Sequence, residues 1–376
     1  MKKIVLAIDS FKGCLTSNEA EAACAEGIRQ VCPHCSIVSV PIADGGEGML
    51  DALRGLGGEE IQVRVQGPLE EDVDARYRLS PDERTAYIEM ASASGLTLVP
   101  PEKRNPMLTS TYGTGQLMRH AIDYGCQRLV IGLGGSATND GGMGMLRALG
   151  YRFFDCEGKA LEGRGKDLDK VRRIDDRFVL PTLIDVQCTA ACDVRNPFYG
   201  PQGAAYVFAP QKGATPSMVE TLDKGLKHWA ELMADTTGCN VASLPGAGAA
   251  GGLGGALAAF LKAELRPGID LLLEANRFTE LIQNADCIIT GEGKADRQTL
   301  MGKVPAGVLR AARQVGDIPT LLIAGQVEDE DELLNTGFRC VRAVTPADMP
   351  LARALQKETA QANIRQQTAT ILKEIF

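Results

Sequence analysis

The sequence predicts an α/β chain of two domains, in which a parallel-sheet domain made from both ends of the chain is interrupted by an inserted mixed α/β domain. Three observations carry this. With 376 residues, the chain exceeds one ordinary core, so two α/β domains or a large insertion is expected. Strand–loop–helix–strand patterns occur at both ends, which puts the termini in one sheet. Between them the pattern changes to β-formers around Gly-Pro and Ser-Pro-Asp-Glu turns, as antiparallel hairpins require. The boundaries are read as 1–65 plus 271–376 for the discontinuous domain and 66–270 for the insertion. Two domains make a cleft, and the active site is expected there.

The elements follow in order. Lys3 to Ile8 is a strand, and Asp9-Ser10-Phe11-Lys12-Gly13 the loop after it. Thr16 and Glu19 fit a capping box, and Ala20, Ala23, Cys24, Gly27, Ile28 and Val31 mark one face of a helix. A strand follows at Ile37 to Ile42, then the loop Ala43-Asp44-Gly45-Gly46-Glu47-Gly48 and a helix through Leu50, Leu53 and Leu56. The hairpins span Val63 to Leu79 and Thr85 to Ala91. Further on, the strand RLVI leads into a glycine- and hydroxyl-rich loop from Gly132 to Gly142, and GAAGGLGG, Gly248 to Gly255, opens a helix. Near the end, CIIT (Cys287 to Thr290) is a strand followed by a loop from Gly291 to Asp296, a helix through Val308, Ala311 and Ala312, and the strand Pro319 to Gly325. A last helix, 351–376, packs on the outside of the sheet.

Composition excludes several classes. A formal net charge of −8 disfavours nucleic acid, whose phosphates are bound by clustered Lys and Arg. No stretch approaches the length of a membrane helix, and the apolar N-terminal run reaches Asp9 too soon for a signal peptide. Eleven cysteines, an odd count without framework spacing, predict reduced thiols in a cytoplasmic protein without disulfides. Cys32 and Cys35, in CPHC, stand at a helix C-terminus, where the dipole disfavours a thiolate. Three histidines leave little for a zinc site or a histidine-based triad.

The functional signal is the placement of 42 glycines after strands, where backbone N–H groups can approach an anion. Such turns favour Gly, Asp and Ser for backbone reasons alone. Turn geometry has no use, however, for the acids and lysines that recur in these loops. No GxxxxGK[ST] string exists, which excludes a Walker-type P-loop. GxGxxG at Gly246, Gly248 and Gly251, and GxGxxA at Gly132, Gly134 and Ala137, keep a nicotinamide-dependent hydroxy-acid dehydrogenase as an alternative. A non-catalytic ligand-binding regulator is the other.

Together the strings DSFKG, ADGGEG, GLGGSATNDGG, CDVRNP, GAAGGLGG and GEGKADRQTLMGKVPAGV resemble the bacterial glycerate kinase family that lacks a P-loop, with similarity to its enterobacterial 2-kinases. Cys14, Met49 and Arg195 depart from the family pattern, and none removes a charge. The resemblance implies a Rossmann-like domain split by the other domain, and ATP-dependent phosphorylation of D-glycerate with Mg²⁺ in sugar-acid and glyoxylate breakdown. The 2-hydroxyl, giving 2-phosphoglycerate, is the expected acceptor, and the 3-hydroxyl the alternative. A monomer or homodimer is expected, without nucleic-acid or membrane partners.

Phosphoryl transfer needs an in-line alcohol, neutralised phosphates and a group that accepts the hydroxyl proton. Asp193 is expected as proton acceptor or Mg²⁺ ligand, with Lys12 the second catalytic residue, facing glycerate's carboxylate. Ser10, Asp44, Gly45 and Gly46 are expected around glycerate. Gly134, Gly135, Ser136, Thr138, Asn139, Gly291, Gly293 and Lys303 are expected around ATP, and Asp296 and Glu292 on the metal. Which loop faces ATP and which faces glycerate stays open at this level.

Overall fold

A computed structural model describes residues 2–11, 13–43 and 48–375. Among them the strands run, in chain order, β1 Lys3–Ile8, β2 Ser36–Ser39, β3 Glu60–Gln66, β4 Asp72–Leu79, β5 Thr85–Glu89, β6 Arg128–Gly132, β7 Arg152–Phe154, β8 Arg173–Asp175, β9 Gln187–Ala191, β10 Glu264–Arg266, β11 Cys287–Ala295, β12 Thr320–Val327 and β13 Cys340–Ala343. The chain forms two compact units. The first is Met1–Asp44, Asp51–Leu56 and Ile269–Phe376, and the second Gly45–Leu50 and Gly57–Gly268.

The first unit is built on a parallel sheet ordered β13–β12–β11–β1–β2. Alternation along β1 sends Ile4, Leu6 and Ile8 to one face and Val5 and Ala7 to the other. The first set packs on Ala20, Cys24 and Ile28 of the helix Ser17–Val31 and on Ile364, Ile371 and Leu372 of the helix Lys357–Ile375. The second set packs on Ile269, Phe278, Val304 and Val308. The two helices of the first face approach closely because Gly27 has no Cβ, which would meet the Arg365 carbonyl at 2.4 Å. Counted within the unit, the strand order is 2-1-3-4-5. The chain therefore winds in opposite directions from β1 and β11, and the carboxyl ends of those two strands flank the topological switch point.

Local signals decide the ends of these elements. The capping box forms as expected: Glu19 N–H donates to Thr16 Oγ1 (3.3 Å) and Thr16 N–H to Glu19 Oε2 (3.0 Å). The glycine-rich stretch after CIIT is strand rather than loop, since β11 pairs with β12 through Ala295. Its glycines serve that pairing: a Cβ on Gly291 would meet the Ile323 carbonyl at 2.5 Å, and one on Gly325 the Gly293 carbonyl at 2.5 Å. The expected thiols Cys32 and Cys35 are instead joined in a disulfide. Cys32 ends the first helix and accepts from Cys35 N–H (3.1 Å), and the turn brings the Cα atoms to 5.4 Å, inside the range a disulfide spans. A helix C-terminus disfavours a thiolate but leaves two thiols this close free to bridge.

The second unit holds a mixed sheet, β10–β9–β6–β5–β4–β3, parallel from β5 to β10 and antiparallel from β3 to β5. A boundary at residue 66 would cut this sheet, because β3 pairs with β4 from Glu60↔Arg78 to Gln66↔Asp72. Residues 57–65 therefore lie with the second unit. Its core includes Tyr77, Leu129, Phe153 and Trp229, all buried. Among the described residues no helix is long and apolar enough to cross a membrane.

Candidate active site

At the switch point of the first unit, β1 delivers Asp9 and Ser10, and β11 delivers Glu292 and Gly293. Asp9 N–H donates to the Gly291 carbonyl (2.9 Å), and Asp9 Oδ1 accepts from Ser10 N–H (2.7 Å). Ser17, in the first turn of the helix, donates to the Ile8 carbonyl (2.5 Å) and accepts from Ile42 N–H (3.1 Å), tying the ends of β1 and β2 together. Beneath them lies Glu21, buried, its Oε1 accepting from Ile8 N–H (3.2 Å). Burial pushes this carboxyl up to about 8.

Glu292 is 6% exposed. Its Oε1 accepts from the Thr299 hydroxyl (2.5 Å) and its Oε2 from Lys303 Nζ (3.3 Å). Burial raises its pKa, against the pull of Thr299 and Lys303. Asp296 opens the 3₁₀ turn Arg297–Met301 by accepting from Gln298 N–H (2.8 Å). Its carboxylate also lies 3.8 Å from Lys294 Nζ and 4.0 Å from Lys303 Nζ. Lys303 thus stands between two acids at the head of the helix Val304–Val315. These groups border a pocket of about 390 Å³, within the usual range for small-molecule sites. Asp9, Ser10, Glu292, Lys294 and Lys303 form its polar side, and Phe11, Val344, Leu351, Ala354 and Leu355 its apolar side.

The second unit has a polar cluster of another kind. Lys212 is buried and donates to Ser136 Oγ (2.7 Å) and the Thr138 carbonyl (2.6 Å). Asp140, fully buried, accepts from Thr111 N–H and hydroxyl (2.7 and 2.8 Å), Gly142 N–H (3.1 Å) and Gly144 N–H (3.2 Å). Burial lowers Lys212 to about 7, opposed by the Asp140 charge, and raises Asp140 against its hydrogen bonds. Trp229 Nε1 donates to the Gly141 carbonyl (2.9 Å). Opposite this loop runs the helix Ala249–Leu261, whose glycines serve packing: a Cβ on Gly251 would meet the Thr138 carbonyl at 2.1 Å, and one on Gly255 would meet the Phe198 ring at 2.5 Å. GxGxxG here is therefore a contact surface between chain segments rather than a dinucleotide turn.

The structure brings Ser10, Glu292, Gly293 and Lys303 to one pocket, with Asp296 beside Lys303. Gly134 and Gly135 reach the surface of their loop, whereas Ser136, Thr138 and Asn139 are buried. Among the described residues the Asn139 amide atoms and Thr138 Oγ1 have no hydrogen-bond partner. Asp193 is exposed and its Oδ1 accepts from Gly268 N–H (2.9 Å), at the start of the helix Gly268–Ala275. Lys12, Asp44, Gly45 and Gly46 lie outside the described residues. Sequence reasoning gave no role to Asp9, Glu21 or Lys212. Asp9 was legible as a strand-end acid, but burial of Glu21 and Lys212 has no local signature. Among the described residues no three His, Cys, Asp or Glu side chains gather as a metal cage. The donor set suits a hydrated magnesium ion brought in on phosphates, which needs only one or two carboxylates.

Comparison with known proteins agrees with this chemistry. The family model described as the glycerate kinase family matches residues 4–375. A glycerate kinase of Halalkalibacterium halodurans is 47% identical, with 95% of this chain and 94% of that protein covered. The glycerate 2-kinase of Escherichia coli K12 is 45% identical over 87% of this chain and 86% of its own length. A crystal structure assigned as glycerate kinase 2 from Salmonella typhimurium LT2 superposes with a TM-score of 0.88 at 42% identity, covering 100% of this chain and 98% of that one. With acids and a lysine converging on the switch point of its parallel sheet and a family match from its first strand to its last helix, the chain belongs to the glycerate kinase family and is an enzyme of that class.

Proposed function

We propose that the protein transfers the γ-phosphate of ATP to the 2-hydroxyl of D-glycerate, giving 2-phosphoglycerate and ADP. The observation that carries the 2-position is the 45% identity to a glycerate 2-kinase. The mixed pocket at the switch point supports a phosphorylated donor. The reading fits the breakdown of sugar acids and glyoxylate, and ATP as donor supports a cytoplasmic location.

The chain's own residues divide the task. Lys303, with the backbone at Gly293, meets donor phosphates, and Gly134 and Gly135 offer a second glycine turn that Lys212 braces through Ser136 and the Thr138 carbonyl. Glu292 and Asp296, with Asp9 on the neighbouring strand, are the oxygen donors that would hold Mg²⁺. When bound, the ion neutralises phosphate charge. Ser10, Lys12, Asp44, Gly45 and Gly46 take glycerate, the lysine pairing with its carboxylate. Asp193 accepts the proton of the attacking hydroxyl.

The test is product identity. Protein, ATP, Mg²⁺ and D-glycerate are incubated and coupled to enolase without phosphoglycerate mutase. Immediate coupling is expected. Coupling only after mutase is added would assign the 3-hydroxyl, and absence of ATP consumption would overturn the kinase reading.

A further inference from the structure

We propose that the apolar half of the first unit's pocket seats the purine nucleoside of the phosphoryl donor, with its phosphates directed to the Asp9, Glu292 and Lys303 edge. The inference rests on ATP being the donor and says where on this chain it is held. One wall of the pocket is aliphatic, made by Val344 after β13 and by Leu351, Ala354 and Leu355 on and just after the short helix Leu351–Ala354. Leu351 is 59% exposed and Leu355 46%. Two large aliphatic side chains thus stand open at the mouth of a pocket instead of joining the core beneath.

Glycerate cannot use such a wall. It carries an oxygen on every carbon, has no apolar face, and is small against about 390 Å³. A nucleoside has both requirements of this site, a flat base with apolar faces and a polar sugar-phosphate end. The pocket runs in that sense across the sheet. Its aliphatic wall lies beyond β13, and its charged edge lies at the carboxyl ends of β1 and β11, where the switch point favours a ligand. Gln326, beside the apolar wall at the end of β12, supplies an amide that can both donate to and accept from a base.

Two measurements test this. The first uses the intact wild-type enzyme and 8-azido-ATP, with the label mapped by peptide mass spectrometry. Labelling within residues 344–360 is expected, protected by ATP and not by D-glycerate. Labelling confined to residues 128–142, or no nucleotide binding, would overturn the proposal. Binding with correct labelling but without phosphoryl transfer would overturn the kinase reading and leave the nucleoside site standing. The second is the double variant L351S/L355S, in which both side chains are surface-exposed, with its fold checked by thermal melting. The KM for ATP is expected to rise roughly tenfold or more, as loss of apolar burial against a base implies, with the KM for D-glycerate within about twofold, too small a change to signal lost burial. A rise confined to D-glycerate would assign the pocket to the acid and refute the proposal.

Discussion

Glu21 shows how one residue can carry both fold and pH response. Its carboxyl is held under the end of β1 by Ile8 N–H, and burial raises it from the ordinary 4.5 to about 8. A raised carboxyl binds its proton more tightly in the folded state. The stability it contributes is fully present below pH 4.5 and is lost as pH rises through 8, by about 5 kcal/mol at most. Glu21→Gln, neutral at every pH, should flatten the stability profile between pH 5 and 8 in urea titrations, and parallel profiles would contradict this origin. Lys212 has the opposite sign: burial holds its folded pKa near 7, below the ordinary 10.5, so its contribution rises with pH between about 7 and 10.5. Asp193 permits a clean separation of charge from structure. Asparagine can still accept from Gly268 N–H, so Asp193→Asn should keep its melting temperature while kcat falls by at least ~100-fold. Near-normal turnover would assign the carboxylate to the helix end alone.

Among the elements, the glycine-rich helix Ala249–Leu261 is the most constrained by packing. Ala250, Gly251 and Gly252 have positive φ, and Gly251 faces the Thr138 carbonyl with no room for a Cβ. Gly251→Ala combines a left-handed backbone with a clash against main chain, so a loss of roughly 2 kcal/mol or more is expected in urea unfolding. A loss under ~0.5 kcal/mol would mean that the loop yields, as substitutions without a structural role typically do. The same comparison sorts the glycine strings. Gly251 and Gly255 keep segments close together and Gly291 keeps β11 against β12, so glycine density in these strings marks packing.

For the whole molecule, the acceptor position can be read with truncated acids. D-lactate keeps the 2-hydroxyl and lacks the 3-hydroxyl, and 3-hydroxypropionate does the reverse. A 2-kinase should phosphorylate D-lactate measurably and 3-hydroxypropionate not at all, followed by ³¹P NMR; the reverse selectivity would move the reaction to C3. By itself the sequence determined the α/β class, the strand at Lys3–Ile8, the Thr16–Glu19 cap and the acids and lysine of the Gly291–Lys303 string, because periodicity, capping and motif spacing are local properties. Tertiary structure alone decided that β11 runs on through its glycines, that Cys32 and Cys35 are bridged, and that Ser136 faces inward onto a buried lysine. The first and last depend on which distant segment comes alongside, which residue type does not encode, and the bridge depends on the turn that closes the first helix.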